Sequence, residues 1–257
     1  MCYDIKASLE SQLRRAQLRS DEAAIKELLE KIKPFVENKL YHGSGYAHPK
    51  TLIYTNQEPS LPTVSIWGLI PHWVKDNKQR FQFWNNTLNA RGETIFEKPS
   101  FRESARHKRC IIVLDGFYEH HHYKGSTYPF LVQHKSKKSI TVAGLWSEWL
   151  DKETGEIINS FSIVTTRANR LMSKIHNNPK LSEPRMPVIL TEDTSEQWLL
   201  PIENEADKNI IEGLIMPYTE EELTAFTVNK LRGKNALGNV PEASEEHVYE
   251  ELLLDLD

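Results

Sequence analysis

Long apolar runs are missing from this 257-residue chain. No stretch approaches the ~20 consecutive apolar residues that a membrane-spanning helix needs, and the start lacks the charged-then-apolar order of a secretory signal. Cysteine is scarce as well: two thiols, Cys2 and Cys110, cannot make a disulfide framework. A secreted protein would seldom carry a thiol at its extreme start. These absences predict a cytoplasmic protein with no membrane partner and with Cys2 free and reduced. Positive charge is not in excess either, and a formal net charge of -4 gives no overall attraction to nucleic acid. No internal repeat or low-complexity tract occurs, which excludes solenoid and linker-like architectures.

What is present belongs to an ordinary globular protein: 39% hydrophobic residues, 26% charged residues and six tryptophans, in a chain long enough to bury a sizeable core. One compact domain over 1–257 is the default expectation. Charge is unevenly spread. Glu242, Glu245, Glu246, Glu250, Glu251, Asp255 and Asp257 make 242–257 an acidic tail, expected as a terminal helix or as loose chain. Arg102, Arg106, His107, Lys108 and Arg109 crowd one segment, as a local basic face or a solvated charged loop.

Apolar spacing predicts a helical insertion over residues 7–33, with Ser20-Asp21 as a cap between two segments and Pro34 as its end. From Tyr41 onward, short β-branched and aromatic runs predict strands at Thr51–Thr55, Thr63–Trp67, Cys110–Leu114, Phe130–His134, Ile140–Leu145, Phe161–Thr165 and Pro187–Leu190. Ala168–Ile175, Asp207–Ile215 and Thr194–Leu200 read as helical segments, the last opened by Thr194 and Gln197 as a capping box. That order predicts an α+β fold, a barrel-like mixed sheet flanked by helices, and not a βαβ array.

Cys2 carries the most distinctive chemistry. Removal of Met1 would leave an α-amine and a thiol on one residue, with ordinary pKa values of ~7.7–8.0 and ~8.5, so both are usable nucleophiles near neutral pH. An aldehyde would meet both: the amine forms an imine, and the tethered thiol closes onto the imine carbon as a five-membered thiazolidine. Tethering makes that closure intramolecular. On position alone, an incidental residue on a frayed terminus is an equally good account.

Seven further stretches belong together. They are Trp67-Gly-Leu-Ile-Pro-His-Trp73, Asn89-Ala-Arg-Gly-Glu-Thr94, Arg109-Cys-Ile-Ile-Val113 leading into Gly116-Phe-Tyr-Glu119, Ala143-Gly-Leu-Trp146, Phe161-Ser-Ile-Val-Thr-Thr-Arg-Ala-Asn169, Ile175-His176 and Arg185-Met-Pro-Val-Ile-Leu190. In number and order they resemble the SRAP family, from Cys2 to about Asn229. The resemblance implies a sensor of abasic sites in single-stranded DNA that caps the opened sugar through Cys2, acting as a monomer in the cytoplasm and associated with the nucleoid when bound. It implies neither a metal nor an organic cofactor.

Carried over by motif, Cys2 is the nucleophile, Asn89 a hydrogen-bonding orienter, Glu119 an acid/base group and His176 a second proton-transfer or stabilising group. Asn89 can donate and accept without titrating. Arg91 and Arg185 are the implied phosphate contacts, and Trp67, Trp73 and Met186 the apolar surface for neighbouring bases. For the tryptophans a place in the core is an equal account, as an ion pair is for Arg91. Without the resemblance, Glu119 would read as a surface glutamate closing a strand and His176 as a solvated or core-satisfied histidine.

Three departures stand out. Tyr3-Asp4 follows the cysteine where the family has Gly-Arg, replacing a basic contact by an acid beside the nucleophile, and 177–184 lengthens the interval from His176 to Arg185. His120, standing where the family has Trp, opens a run to His122 that reads as a polar strand end, because adjacent strand residues face opposite ways and no further ligand lies at metal spacing. Cys110 reads as a core thiol. Competing readings are an N-terminal-nucleophile peptidase whose activity concerns Met1 itself, a glutamine amidotransferase, for which the Asn-Gly of the oxyanion hole is missing, and a non-covalent single-strand binder.

Overall fold

β-Branched and aromatic residues recur in short runs between residues 50 and 167, and there the backbone extends into strands. The computed structural model describes residues 2–19, 22–32 and 39–252. Strand β1 (Asp4–Ser8) precedes helices α1 (Leu9–Arg19) and α2 (Glu22–Ile32). Strands β2 (Lys39–Ser44), β3 (Lys50–Thr55) and β4 (Thr63–Trp67) lead through α3 (Asn77–Phe83), β5 (Asn89–Arg91) and α4 (Arg102–His107). Long strands follow: β6 (Arg109–Leu114), β7 (Gly116–Tyr123), β8 (Ser126–His134), β9 (Ile140–Leu150) and β10 (Ile157–Arg167). The chain continues through α5 (Arg170–Ile175), β11 (Arg185–Pro187), β12 (Ile189–Leu190), α6 (Glu192–Leu199), α7 (Glu205–Gly213) and β13 (Leu223–Thr227).

These strands make two sheets. One is antiparallel throughout, in the order β13-β8-β7-β1-β2. In the other, β10 pairs on one side with β4 and on the other with β9, so β10-β4-β3-β6-β9 closes on itself as a five-stranded barrel. The β4–β10 and β5–β10 pairings are parallel, which makes the barrel sheet mixed, as expected. Ile5, Phe117 and Val132 from the antiparallel sheet share one apolar core with Ile53, Ile112, Val142 and Phe161 from the barrel. Cys110 is buried in that core, which pushes its thiol pKa up.

The helical insertion forms as two segments, but Ala7 and Ser8 belong to β1, and Ser20, Asp21 and Pro34 lie outside the described residues. Gln12, buried on α1, accepts from Thr51 Oγ1 at 2.7 Å and from the Leu52 N–H at 2.8 Å, which ties the helix to β3. Arg15 and Arg19 both pair with Glu196 of α6. The capping box of α6 is Thr191 with Thr194, three residues before the expected one, because the Thr191 hydroxyl and the Thr194 hydroxyl each satisfy the other's backbone N–H. The segment 185–190 is two short strands, with β11 on β10 and β12 on β9.

The acidic tail up to Leu252 is not a helix. After a single 3-10 turn at Pro241–Ser244, Glu246 bridges Val228 and the Tyr249 hydroxyl donates to the Val228 carbonyl. Residues 253–257 lie outside the described set. The basic segment 102–109 is not one continuous face: Arg102, Arg106 and His107 are solvated, whereas Arg109 is fully buried and donates to the carbonyls of Trp198, Ala105 and Arg106. Lys108 pairs with Glu148.

Candidate active site

Cys2 stands at the entry to β1, the strand held between β2 and β7, and it is fully buried. The Asn89 side-chain amide on β5 donates to the Cys2 carbonyl at 2.7 Å. Asn89 Oδ1 is buried and accepts no hydrogen bond among the described residues. Glu119 lies on β7, where its Oε1 accepts from the His120 N–H at 3.0 Å. His176 follows α5, and its Nδ1 is 3.7 Å from Glu119 Oε2. The structure therefore brings all four expected residues together from four separate parts of the chain.

The electrostatics follow from burial. Desolvation, then the Glu119 charge, push the Cys2 thiol well above its ordinary pKa, so it is protonated at neutral pH. Burial depresses the His176 imidazole, partly opposed by Glu119. The Arg185 backbone N–H and carbonyl both lie 2.9 Å from His176 Nδ1, so the Arg185 backbone holds the ring through that nitrogen. The pocket thus holds a neutral thiol and a neutral imidazole beside Glu119.

Asp4, two residues from the nucleophile, is also fully buried. Its carboxylate accepts from His42 Nε2 at 2.9 Å and from the Arg232 guanidinium at 2.5 Å. Burial alone would raise its pKa, but the His42 hydrogen bond and the Arg232 charge outweigh it and hold the carboxyl below the ordinary range. The acid that departs from the family pattern is therefore neutralised in place. A cavity of about 340 Å³ opens beside the group, lined among others by Tyr3, Tyr46, Glu119, His176, Lys230 and Arg232. Neither Tyr46 nor the two cations is distinguished by its sequence; the one signal for Arg232 is that an acid beside a nucleophile demands a basic partner.

The residues expected to touch nucleic acid divide. Arg91 is about half exposed and pairs with Glu183 at 3.1 Å. Trp73 is half-buried at the surface, its indole N–H donating to the Pro99 carbonyl at 3.2 Å. Trp67, Met186 and Arg185 instead correct the expectation of direct contact. Trp67 is fully buried, stacked on Phe161 and donating to the Leu88 carbonyl. Met186 is fully buried, with its sulfur 3.4 Å from the Asn169 N–H. The Arg185 guanidinium is engaged internally, bidentate on Glu93 at 2.9 and 2.7 Å, and bonded to Glu183 and to the Thr165 carbonyl. None of the three presents a free surface to a ligand.

Gly68, within the Trp67–Trp73 stretch, has φ +118, and a Cβ there would stand 2.4 Å from the Trp84 ring. In the histidine run, the alternation holds: His121 is buried with Nδ1 2.9 Å from the Lys174 carbonyl, while His120 and His122 line the cavity. Among the described residues no helix is long and apolar enough to cross a membrane.

Residues 14–234 match the family model described as SOS response associated peptidase (SRAP). Asn89, Glu119 and His176 fall within that span and Cys2 precedes it. The chain is 38% identical over 221 residues to YoqW, an abasic site processing protein of Bacillus subtilis (strain 168), covering 84% of this chain and 92% of the relative. Similarity extends to the abasic site processing protein HMCES of Pongo abelii, at 29% identity over 68% of this chain and 54% of that protein. A crystal structure of a Bacteroides thetaiotaomicron protein superposes with a TM-score of 0.81 at 31% identity, covering 96% of this chain and all of that one.

Proposed function

The chain belongs to the SRAP family, and from that premise we propose that it processes abasic sites in single-stranded DNA by forming a covalent thiazolidine through Cys2. Removal of Met1 leaves the Cys2 amine to attack the aldehyde carbon of the opened deoxyribose. Water departs and an imine forms. The thiol then adds across the C=N bond: sulfur bonds to carbon, and the thiol proton ends on nitrogen. The protein is consumed in a single turnover.

The observation that carries this reading is the Asn89 contact. Its amide fixes the Cys2 carbonyl while its own buried Oδ1 has no hydrogen-bond donor among the described residues, an acceptor suited to a substrate hydroxyl or to the freed amine. The protonated thiol leaves the amine to react first, and Glu119 is near enough to relay the protons that the two steps exchange. His176, its Nδ1 3.7 Å from Glu119 Oε2, serves as the second proton-transfer or stabilising group. On this reading the protein works in the cytoplasm, joined to the nucleoid while bound to DNA, as a monomer and without a cofactor.

The test is intact mass spectrometry after mixing with an oligonucleotide that holds one abasic site. The expected product has lost Met1 and gained the oligonucleotide less one water. An adduct that survives denaturant equally well in Cys2→Ala, or no adduct at all, overturns the reading.

A further inference from the structure

At the mouth of the cavity stands a group that the crosslinking chemistry does not use. Tyr3 and Tyr46 stack with ring centroids 5.2 Å apart and planes inclined by 28°. The Arg232 guanidinium lies 5.3 Å from the centre of the Tyr46 ring. The Gly45 N–H donates to the Tyr3 carbonyl at 2.7 Å, which locks the turn that carries Tyr46 to the residue after the nucleophile. Yet Tyr46 is 48% exposed, an unusual place for a large ring beside a polar cavity.

We infer that Tyr46, together with Tyr3, is the stacking platform for the base next to the abasic sugar, and that Arg232 and Lys230 contact the phosphate of that nucleotide. This deepens the abasic-site reading and rests on it. A missing base leaves its neighbour with one uncovered face, and an aromatic ring within reach of the sugar pocket replaces the lost partner. Every base has such a face, so the platform is indifferent to sequence. Arg232 uses part of its donor fork on Asp4, and 46% of its side chain remains exposed, leaving donors for a phosphate oxygen. Lys230 lines the same cavity.

The test compares crosslinking to two oligonucleotides, one whose abasic site is flanked by natural bases and one whose flanking nucleotides are base-free tetrahydrofuran spacers with every phosphate retained. The natural protein should reach half-maximal crosslinking at a lower concentration of the base-flanked strand, by about 5-fold to about 150-fold, the range one stacked base commands. Tyr46→Leu should bring that ratio close to one, and Tyr46→Phe should keep it. In Arg232→Gln the salt dependence of binding should weaken by about one counterion. A ratio that survives Tyr46→Leu overturns the platform, and an unchanged salt dependence overturns the phosphate contact. If the natural protein crosslinks neither strand, the abasic-site reading itself fails and takes this inference with it.

Discussion

Replacing Arg185 by glutamine separates two roles for a residue that the family motif would assign to phosphate binding. The side chain is 2% exposed and holds Glu93 through both oxygens, Glu183 through one, and the Thr165 carbonyl. Removing one partner of a buried ion pair costs about 3–5 kcal/mol. Here the Glu93 and Glu183 side chains remain 39% and 35% exposed and rehydrate when released, which trims that figure to about 2 kcal/mol. Stranding the Thr165 carbonyl adds about 1 kcal/mol. The expected loss of about 3 kcal/mol corresponds to a melting temperature lower by roughly 6–12 °C for a chain of this size. Thermal unfolding followed by circular dichroism, set beside the salt dependence of oligonucleotide binding, measures both. A melting temperature within about 2 °C of the natural protein, together with a salt slope reduced by about one, would refute the ion-pair account and restore Arg185 as a phosphate contact.

Three further outcomes are expected. Glu119→Gln keeps the side-chain volume and the acceptor for His120 but loses the charge, so crosslinking should slow about 10²–10⁴-fold on a denaturing gel time course; a loss below about tenfold would remove Glu119 from proton transfer. Because burial raises the Cys2 thiol, its alkylation by iodoacetamide at pH 7 should be slower in the folded protein than in the unfolded chain, read by mass spectrometry. Burial also holds the His121 and His176 imidazoles below the ordinary ~6.5, so the unfolded chain binds the extra protons. The stability they contribute is complete above about pH 6.5 and is lost as pH falls from there toward their folded values, which melts at pH 7, 6 and 5 would reveal as a declining midpoint.

Much of this was legible where local chemistry and tertiary structure agree. Thr63–Trp67 forms a strand with the expected bounds, because alternating β-branched residues suit a strand paired on both edges. Strand β1 was hidden: Asp4 and Lys6 interrupt its apolar pattern, and Asp4 is tolerated in the interior because His42 and Arg232, both distant in the chain, hydrogen-bond and neutralise it. Strand β5 is three residues long and takes its shape from its parallel partner β10, not from propensity. In the site, the motifs pointed to Asn89, Glu119 and His176, but a motif does not reveal which face of a strand is wet. Trp67 therefore reads equally as contact and as core and Met186 as contact, and burial puts both in the core. Tyr46 carries no local signal, since its role depends on a turn pinned to Tyr3.

Closure of the barrel also sets a kinetic order. Phe161 must find Trp67 across roughly ninety intervening residues before the ring is complete, and long-range closure of that kind is slow compared with hairpin or helix formation. The local pairs β3–β4 and β9–β10 can assemble early, whereas Asn89, lodged beside β10 on the seam that shuts last, reaches Cys2 only once the ring has sealed. A newly made or partly denatured chain would thus hold its reactive sulfur without its orienting amide, and competence would arise late and cooperatively, together with the final topology.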